Sequence, residues 1–212
     1  LYEYDSKTRK IRMLADMRKV LQLPAGHYTP GKIHSRIDLG KDGWLYYSTH
    51  RGSTRVTTTK HHFKGGWILR THPATSRTEI VAHAPLPMQT LPASVLDPAR
   101  MIYYAGTADG DYKNNRVQFL AYDVERNKVL YSDDNGFSRY AIFAKSTGRL
   151  YYHDGRSTPG QTTGPRSLVC FDPANPGKPR PINASVGLRS ATQELATRKV
   201  YTIDHDALWE FD

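Results

Sequence analysis

The chain has 212 residues, and its 30 Lys and Arg against 20 Asp and Glu give a formal net charge of +10. No run of about 18 apolar residues occurs, which excludes an apolar membrane-spanning helix, and the single cysteine, Cys170, excludes an internal disulfide. The positive balance favours polyanionic partners, although a charge that serves only solubility is the alternative.

The predicted elements are mostly β-strands. In chain order they are 1–5, 10–14, 33–39, 44–49, 67–71, 79–82, 93–96, 101–105, 117–122, 128–132, 140–144, 149–153, 167–171, 180–183, 191–195, 200–203 and 207–211. Pro24, Gly26, Pro30 and Gly31 interrupt the long connection after the second strand. A weak helical spacing over 9–23 predicts one or two helical turns there.

Two β-phrases alternate along the chain. The first phrase, two or three apolar residues ending in an acidic or turn residue, occupies 1–5, 68–72, 119–123, 168–172 and 208–212. The second, an apolar residue followed by a tyrosine pair or Tyr-Thr, occupies 44–47, 101–104, 149–152 and 199–202. Two interleaved phrases with a period of about 50 residues are typical of a β-propeller, in which each repeat forms one four-stranded blade.

We therefore predict one all-β domain over 1–212, a β-propeller of four-stranded antiparallel blades with about four blades in this chain. A propeller closes by completing one blade with strands from both ends of the chain. Here the terminal segments would supply one strand more than such a four-stranded blade holds. This favours a portion of a longer propeller, with a four-bladed closure as the alternative.

The blade equivalences predict a functional face. In propellers, ligands usually meet the face formed by the loop before the innermost strand and the loop between the second and third strands. Aligned repeats direct one set of residues to that face: His34, His50, Arg139, Tyr140, Arg156 and Arg189. The loop around them adds Arg51, Arg55, Lys60, His61 and His62, and no Asp or Glu occurs between Gly43 and Thr78.

These residues predict a cationic cleft that contains a tyrosine. Adjacent arginines stabilise a phenolate, so Tyr140 could remove the C5 proton of a uronic acid while His or Arg neutralises its carboxylate. Alternatively, Tyr140 packs within a blade, His34 and His50 are hydrogen-bonding strand ends, and the basic loop is merely solvated. A metal bound by His50 with His61 and His62 lacks a fixed ligand spacing, so we predict no metal and no cofactor.

The segments 31–38 and 48–52, together with Tyr140 and Arg156, resemble β-propeller polysaccharide lyases of the ulvan lyase type. The resemblance implies a seven-bladed propeller whose two His, one Tyr and one Arg act in a central cleft. Here His34 and His50 would neutralise the uronate carboxylate, Tyr140 would be both base and acid, and Arg156 would tune Tyr140. Because the His and Tyr/Arg pairs lie two blades apart, an adjacent-blade tyrosine is the alternative base: Tyr103, Tyr104 or Tyr112.

Two functional hypotheses follow. The first is a secreted or periplasmic protein that binds, and cleaves by β-elimination, an acidic polysaccharide. The second is a non-catalytic interaction or sensor module whose basic face holds an anionic or protein partner. No nucleic-acid-binding module is recognisable, so we do not expect a nucleic-acid partner.

Overall fold

The computed structural model describes residues 1–52, 58–109, 117–137, 139–153, 168–182, 188, 191–204 and 207–211. Antiparallel strands dominate this part of the chain. The strands are β1 Tyr2–Asp5, β2 Lys10–Met13, β3 Lys32–Ile33, β4 Asp38–Leu39, β5 Leu45–His50, β6 Trp67–Thr71, β7 Thr78–His83, β8 Gln89–Asp97, β9 Ile102–Asp109, β10 Phe119–Asp123, β11 Lys128–Asp133, β12 Ala141–Ala144, β13 Arg149–His153, β14 Leu168–Phe171, β15 Arg180–Ile182, β16 Val200–Asp204 and β17 Ala207–Phe211. A short helix, α1, spans Met17–Leu21, and a 3-10 turn spans Thr59–His61.

The strands form sheets in chain order. β8 to β11 and β12 to β15 are four-stranded antiparallel meanders, and β3 to β7 form a five-stranded sheet in which β3 and β4 both pair with β5. β1–β2 and β16–β17 are two-stranded hairpins. The prediction of an all-β chain with four-stranded antiparallel sheets is thus confirmed.

Apolar layers lie between successive sheets. Tyr46 and Tyr103 belong to the layer between β3–β7 and β8–β11, whereas Tyr104 belongs to the layer between β8–β11 and β12–β15. Neighbouring residues of a strand point to opposite faces, so each tyrosine pair supplies one ring to the layer on either side of its sheet. This accounts physically for the repeated tyrosine pair in the second β-phrase.

The aspartate that closes the first β-phrase caps a turn. Asp123 is buried at the end of β10, and its carboxylate accepts hydrogen bonds from the backbone N–H groups of Glu125 and Arg126 at 3.0 and 2.8 Å. Asp5 accepts equivalent bonds after β1, and Asp172 accepts one after β14. An aspartate in this position satisfies turn N–H groups that have no strand partner, which explains its recurrence.

Two local predictions were wrong. The strand expected over 33–39 is split into β3 and β4, because the Ser35 hydroxyl accepts from Ser48 N at 2.8 Å and donates to Ser48 O at 3.1 Å, in place of a backbone ladder. Residues 191–195 form no strand, although Thr192 N and Leu195 N bond to the Tyr201 and Lys199 carbonyls. The prediction of one or two helical turns within 9–23 is confirmed by α1, which Asp16 caps. In the described residues, no helix has the length and hydropathy to cross a bilayer.

Candidate functional site

Two of the predicted residues, His34 and His50, lie together at one end of the β3–β7 sheet. Their ring centroids are 5.6 Å apart and the rings are tilted by 47°. His34 is exposed in the segment between β3 and β4, whereas His50 is the last residue of β5 and is only 8% exposed. The structure therefore brings this pair into one site, which we call the histidine pair.

Backbone hydrogen bonds fix which ring nitrogens carry protons. Gly52 N donates to His50 Nδ1 at 3.2 Å, so the neutral His50 ring carries its proton on Nε2. His34 Nδ1 lies 2.9 Å from the Pro92 carbonyl oxygen, which can only accept, so this nitrogen carries a proton. In their neutral forms, His50 therefore carries its proton on Nε2 and His34 carries its proton on Nδ1.

Burial determines the charge of His50. Loss of hydration lowers the pKa of His50 from 6.5 to about 4, so the ring is uncharged at neutral pH. Neighbouring positive charges act in the same direction, and they belong to His34, Lys32 and Arg51. At neutral pH, Lys32 and Arg51 therefore supply the positive charge beside His50, which itself is uncharged.

A bulge in β8 explains why the pair sits against the next sheet. The β8–β9 register shifts between Thr90 and Ala93, and side chains of the β3–β7 sheet bond to the carbonyls of the two intervening residues. Ser48 Oγ donates to Leu91 O at 2.8 Å, and His34 bonds to Pro92 O. Proline is tolerated in this strand because a bulge does not need its missing N–H group.

The loop after β5 returns to the sheet through the 3-10 turn Thr59–His61. Lys60 is exposed there, whereas His61 is half-buried and its Nδ1 lies 2.9 Å from Thr58 Oγ1. The His61 carbonyl accepts from Tyr28 N at 2.8 Å. Next to them, His62 stacks on His27 with ring centroids 4.0 Å apart. His61 and His62 thus fasten this loop to the segment before β3.

Tyr140 and Arg139 are exposed immediately before β12. β12 contacts β8, and β8 contacts β5, so the β8–β11 sheet lies between these residues and the histidine pair. The remaining predicted cations, Arg55, Arg156 and Arg189, lie outside the described residues. The convergence of Tyr140 and Arg156 with the histidine pair therefore stays a prediction.

The alternative tyrosines have different environments. Tyr103 and Tyr104 are fully buried, and burial raises the pKa of both phenols well above 10. A buried phenol that resists ionisation cannot reach a polymer, so neither is a candidate base. Tyr112 lies outside the described residues.

Sequence reasoning missed Lys32. This residue is directly opposite His50 in the β3–β5 pair, and it contributes to lowering the pKa of His50. Its position two residues before His34 was the available signal, because alternate residues of a strand share a face. Among the described residues, no three His, Cys, Asp or Glu side chains are arranged to hold a metal ion.

No family model matches the chain, and no curated protein matches it in sequence. Solved structures do resemble it. One is the extracellular domain of a proposed one component system from B. thetaiotaomicron, with a TM-score of 0.50, 15% identity, and coverage of 94% of this chain and 23% of that chain. Another is described as a dipeptidyl aminopeptidase IV from Bacteroides ovatus, with a TM-score of 0.50 and 10% identity.

The second match covers 94% of this chain and 36% of that chain. The chain thus spans about a quarter to a third of the length of these two structures. At such low identity the likeness concerns the fold alone, a β-rich arrangement of antiparallel sheets.

Proposed function

We propose that the chain is part of a secreted or periplasmic β-propeller that binds an acidic polysaccharide at the histidine pair and cleaves it by β-elimination. The stacking of successive four-stranded meanders, with β8 in contact with both β5 and β12, supports the propeller arrangement. The number of blades in the whole propeller would exceed those in this chain.

The observation that carries the functional proposal is the composition of the histidine pair and its surroundings. His50 is a neutral ring beside Lys32 and Arg51, and residues 43–78 contain no carboxylate. A uronate carboxylate needs such a combination, because it accepts hydrogen bonds and its negative charge must be balanced. Balancing that charge also acidifies the C5–H bond next to the carboxylate.

The proposed reaction needs no cofactor. A base removes the C5 proton, the C5–H electron pair forms the C4–C5 double bond, and the C4–O bond breaks with its electrons on the leaving oxygen. An acid then protonates that oxygen. Tyr140, with Arg156, is the proposed base and acid, and Arg139 and Arg189 would contact flanking acidic units together with Arg51, Arg55, Lys60 and His61.

The test is an activity assay on a panel of uronic-acid polymers. Unsaturated uronate absorbs ultraviolet light, so cleavage appears as rising absorbance, and His34→Gln, His50→Gln and Tyr140→Phe should each reduce the rate by roughly a hundredfold or more. Lys128→Gln, which removes an exposed charge on β11, is the control and should leave the rate unchanged. The absence of product from every polymer would refute cleavage.

A second candidate is a non-catalytic recognition module. It is favoured because one ring nitrogen of each histidine already bonds to the backbone. His34 Nδ1 bonds to Pro92 O, and His50 Nδ1 accepts from Gly52 N. In this case the His34, His50 and Tyr140 variants would bind a polymer almost normally. Removal of Arg51, Arg55 and Lys60 together would instead weaken binding and its dependence on salt.

A further inference from the structure

Two adjoining cavities lie beside α1, and we call them together the α1 groove. The first has a volume of about 440 Å³, and its lining includes Asp16, Met17, Arg18, Thr29, Lys32 and Ile33. The second has a volume of about 320 Å³, and its lining includes Met17, Arg18, Leu21 and Thr29. They share Met17, Arg18 and Thr29, so they form a continuous depression. Each volume is in the range of ligand pockets.

The groove adjoins the histidine pair through Lys32. Lys32 lines the first cavity and is also the residue opposite His50 in the β3–β5 pair, so one side chain borders both places. The backbone at Gly31 lies close to the backbone at Arg51, because a Cβ atom on Gly31 would be 2.3 Å from Arg51 O. Glycine at this position lets β3 approach the segment after β5, which holds Lys32 between the groove and the histidine pair.

The groove lining carries two cationic side chains, Arg18 and Lys32, and one carboxylate, Asp16. Arg18 and Lys32 are both exposed, and neither side chain hydrogen-bonds or ion-pairs with any residue that the structure describes. The carboxylate in the lining, Asp16, is directed to its own helix, where it accepts from Arg18 N at 3.0 Å. The two cations are therefore available to an anionic ligand, and Asp16 can accept a hydrogen bond from a sugar hydroxyl.

The remaining lining suits a sugar ring. Thr29 places a hydroxyl where the two cavities join, and Met17, Ile33 and Leu21 provide apolar walls that also pack on the core around Tyr28. Sugars present both hydroxyl groups and apolar C–H faces. A lining with apolar walls and a few polar groups matches that chemistry, and two cations add a preference for an acidic sugar.

We propose that the α1 groove is a second subsite for an acidic oligosaccharide. It binds the units that follow the one at the histidine pair, with Arg18 and Lys32 facing a carboxylate of the bound chain. This inference rests on the proposed function, and it assigns to that function a direction in which the polymer lies. It also makes chain length a determinant of affinity, because only a longer ligand reaches Arg18.

The test compares ligands of two lengths. Disaccharides and hexasaccharides of glucuronan, polygalacturonate and alginate are titrated calorimetrically into the chain and into its Arg18→Gln variant. We expect Arg18→Gln to weaken hexasaccharide binding by roughly tenfold, the effect of one charge-assisted contact, and to leave disaccharide binding unchanged. Lys19→Gln, the exposed neighbour outside the α1 groove, is the matched control and should change neither.

The outcomes separate this inference from the function on which it rests. If His34→Gln weakens both lengths while Arg18→Gln weakens neither, the histidine pair binds the polymer and the groove proposal is wrong. Equal weakening of both lengths by Arg18→Gln also refutes it, because that result reports a general electrostatic effect. If the unmodified chain binds no oligosaccharide of the panel, both proposals fail together.

Discussion

His50 makes the stability of the chain depend on pH in a defined window. Its pKa is about 4 in the folded chain and 6.5 as the ordinary value. Above about pH 6.5 the ring is neutral in both states and contributes nothing. As the pH falls from there towards 4, the unfolded chain binds a proton that the folded chain refuses, so stability is lost; below about pH 4 the loss is complete.

The size of the stability loss follows from the difference between the two pKa values of His50. Each unit of pKa difference corresponds to about 1.4 kcal/mol, so the total loss is about 3 kcal/mol. About 2 kcal/mol of it falls between pH 7 and pH 5. Because His50 is only 8% exposed, solvent screening does not reduce this figure much.

The assay is urea unfolding at pH 7 and pH 5, with His50→Gln as the comparison. Glutamine keeps a buried hydrogen-bonding side chain but cannot titrate, so other titrating groups cancel in the difference between the two proteins. The chain with His50 should lose about 2 kcal/mol more than His50→Gln over this interval. Equal losses in the two proteins would show that His50 titrates normally and would refute the reasoning.

A second comparison separates burial from charge. Burial is the largest cause of the lowered pKa of His50, ahead of the charges of its neighbours. Between pH 7 and pH 5, the chain with His50 should lose more stability than His50→Gln. Lys32→Gln and Arg51→Gln should therefore each retain most of this additional loss. Should Lys32→Gln alone remove the effect, repulsion between cations and not desolvation would be its source.

Two further predictions concern stability, with urea unfolding at neutral pH as the measurement. Tyr104→Phe removes a buried hydroxyl that hydrogen-bonds no described atom, and it should raise the free energy of unfolding by about 1 kcal/mol. Tyr47→Phe breaks a 2.7 Å hydrogen bond to Thr71 and should lower the free energy of unfolding by about 1 kcal/mol. Destabilisation by both variants would contradict this prediction. Gly106→Ala places a Cβ 1.7 Å from Phe137 O and should cost about 3 kcal/mol or more. Gly43→Ala, with open space but a φ of 81°, should cost only about 1 kcal/mol, and equal costs would refute the steric argument.

The parts of the fold that could be predicted from the sequence are those with a local cause. Asp5, Asp123 and Asp172 recur because a carboxylate caps the turn that follows its own strand. The tyrosine pairs recur because each sheet has an apolar layer on both faces. Such causes act within a few residues, so they leave a periodic trace from which strand positions can be inferred.

The departures from prediction have long-range causes. The break between β3 and β4 depends on Ser35 meeting Ser48, and the position of His34 depends on a carbonyl exposed by a bulge at Pro92. The α1 groove depends on Tyr28, whose ring stacks on Trp67 and so places the segment before β3. None of these contacts repeats along the chain, and periodicity therefore gives no sign of them.

The same distinction applies to the chemistry of the site. The sequence identified His34 and His50 as one group of residues, and their proximity in the structure agrees with that grouping. Their composition alone suggested two positive charges, but burial makes His50 a neutral donor at neutral pH. In the proposed function, attraction of a polyanion at neutral pH then comes from Lys32, Arg51 and Arg18. In the proposed function His50 acts as an uncharged ring, so its replacement should affect the geometry of a bound uronate more than the salt dependence of binding.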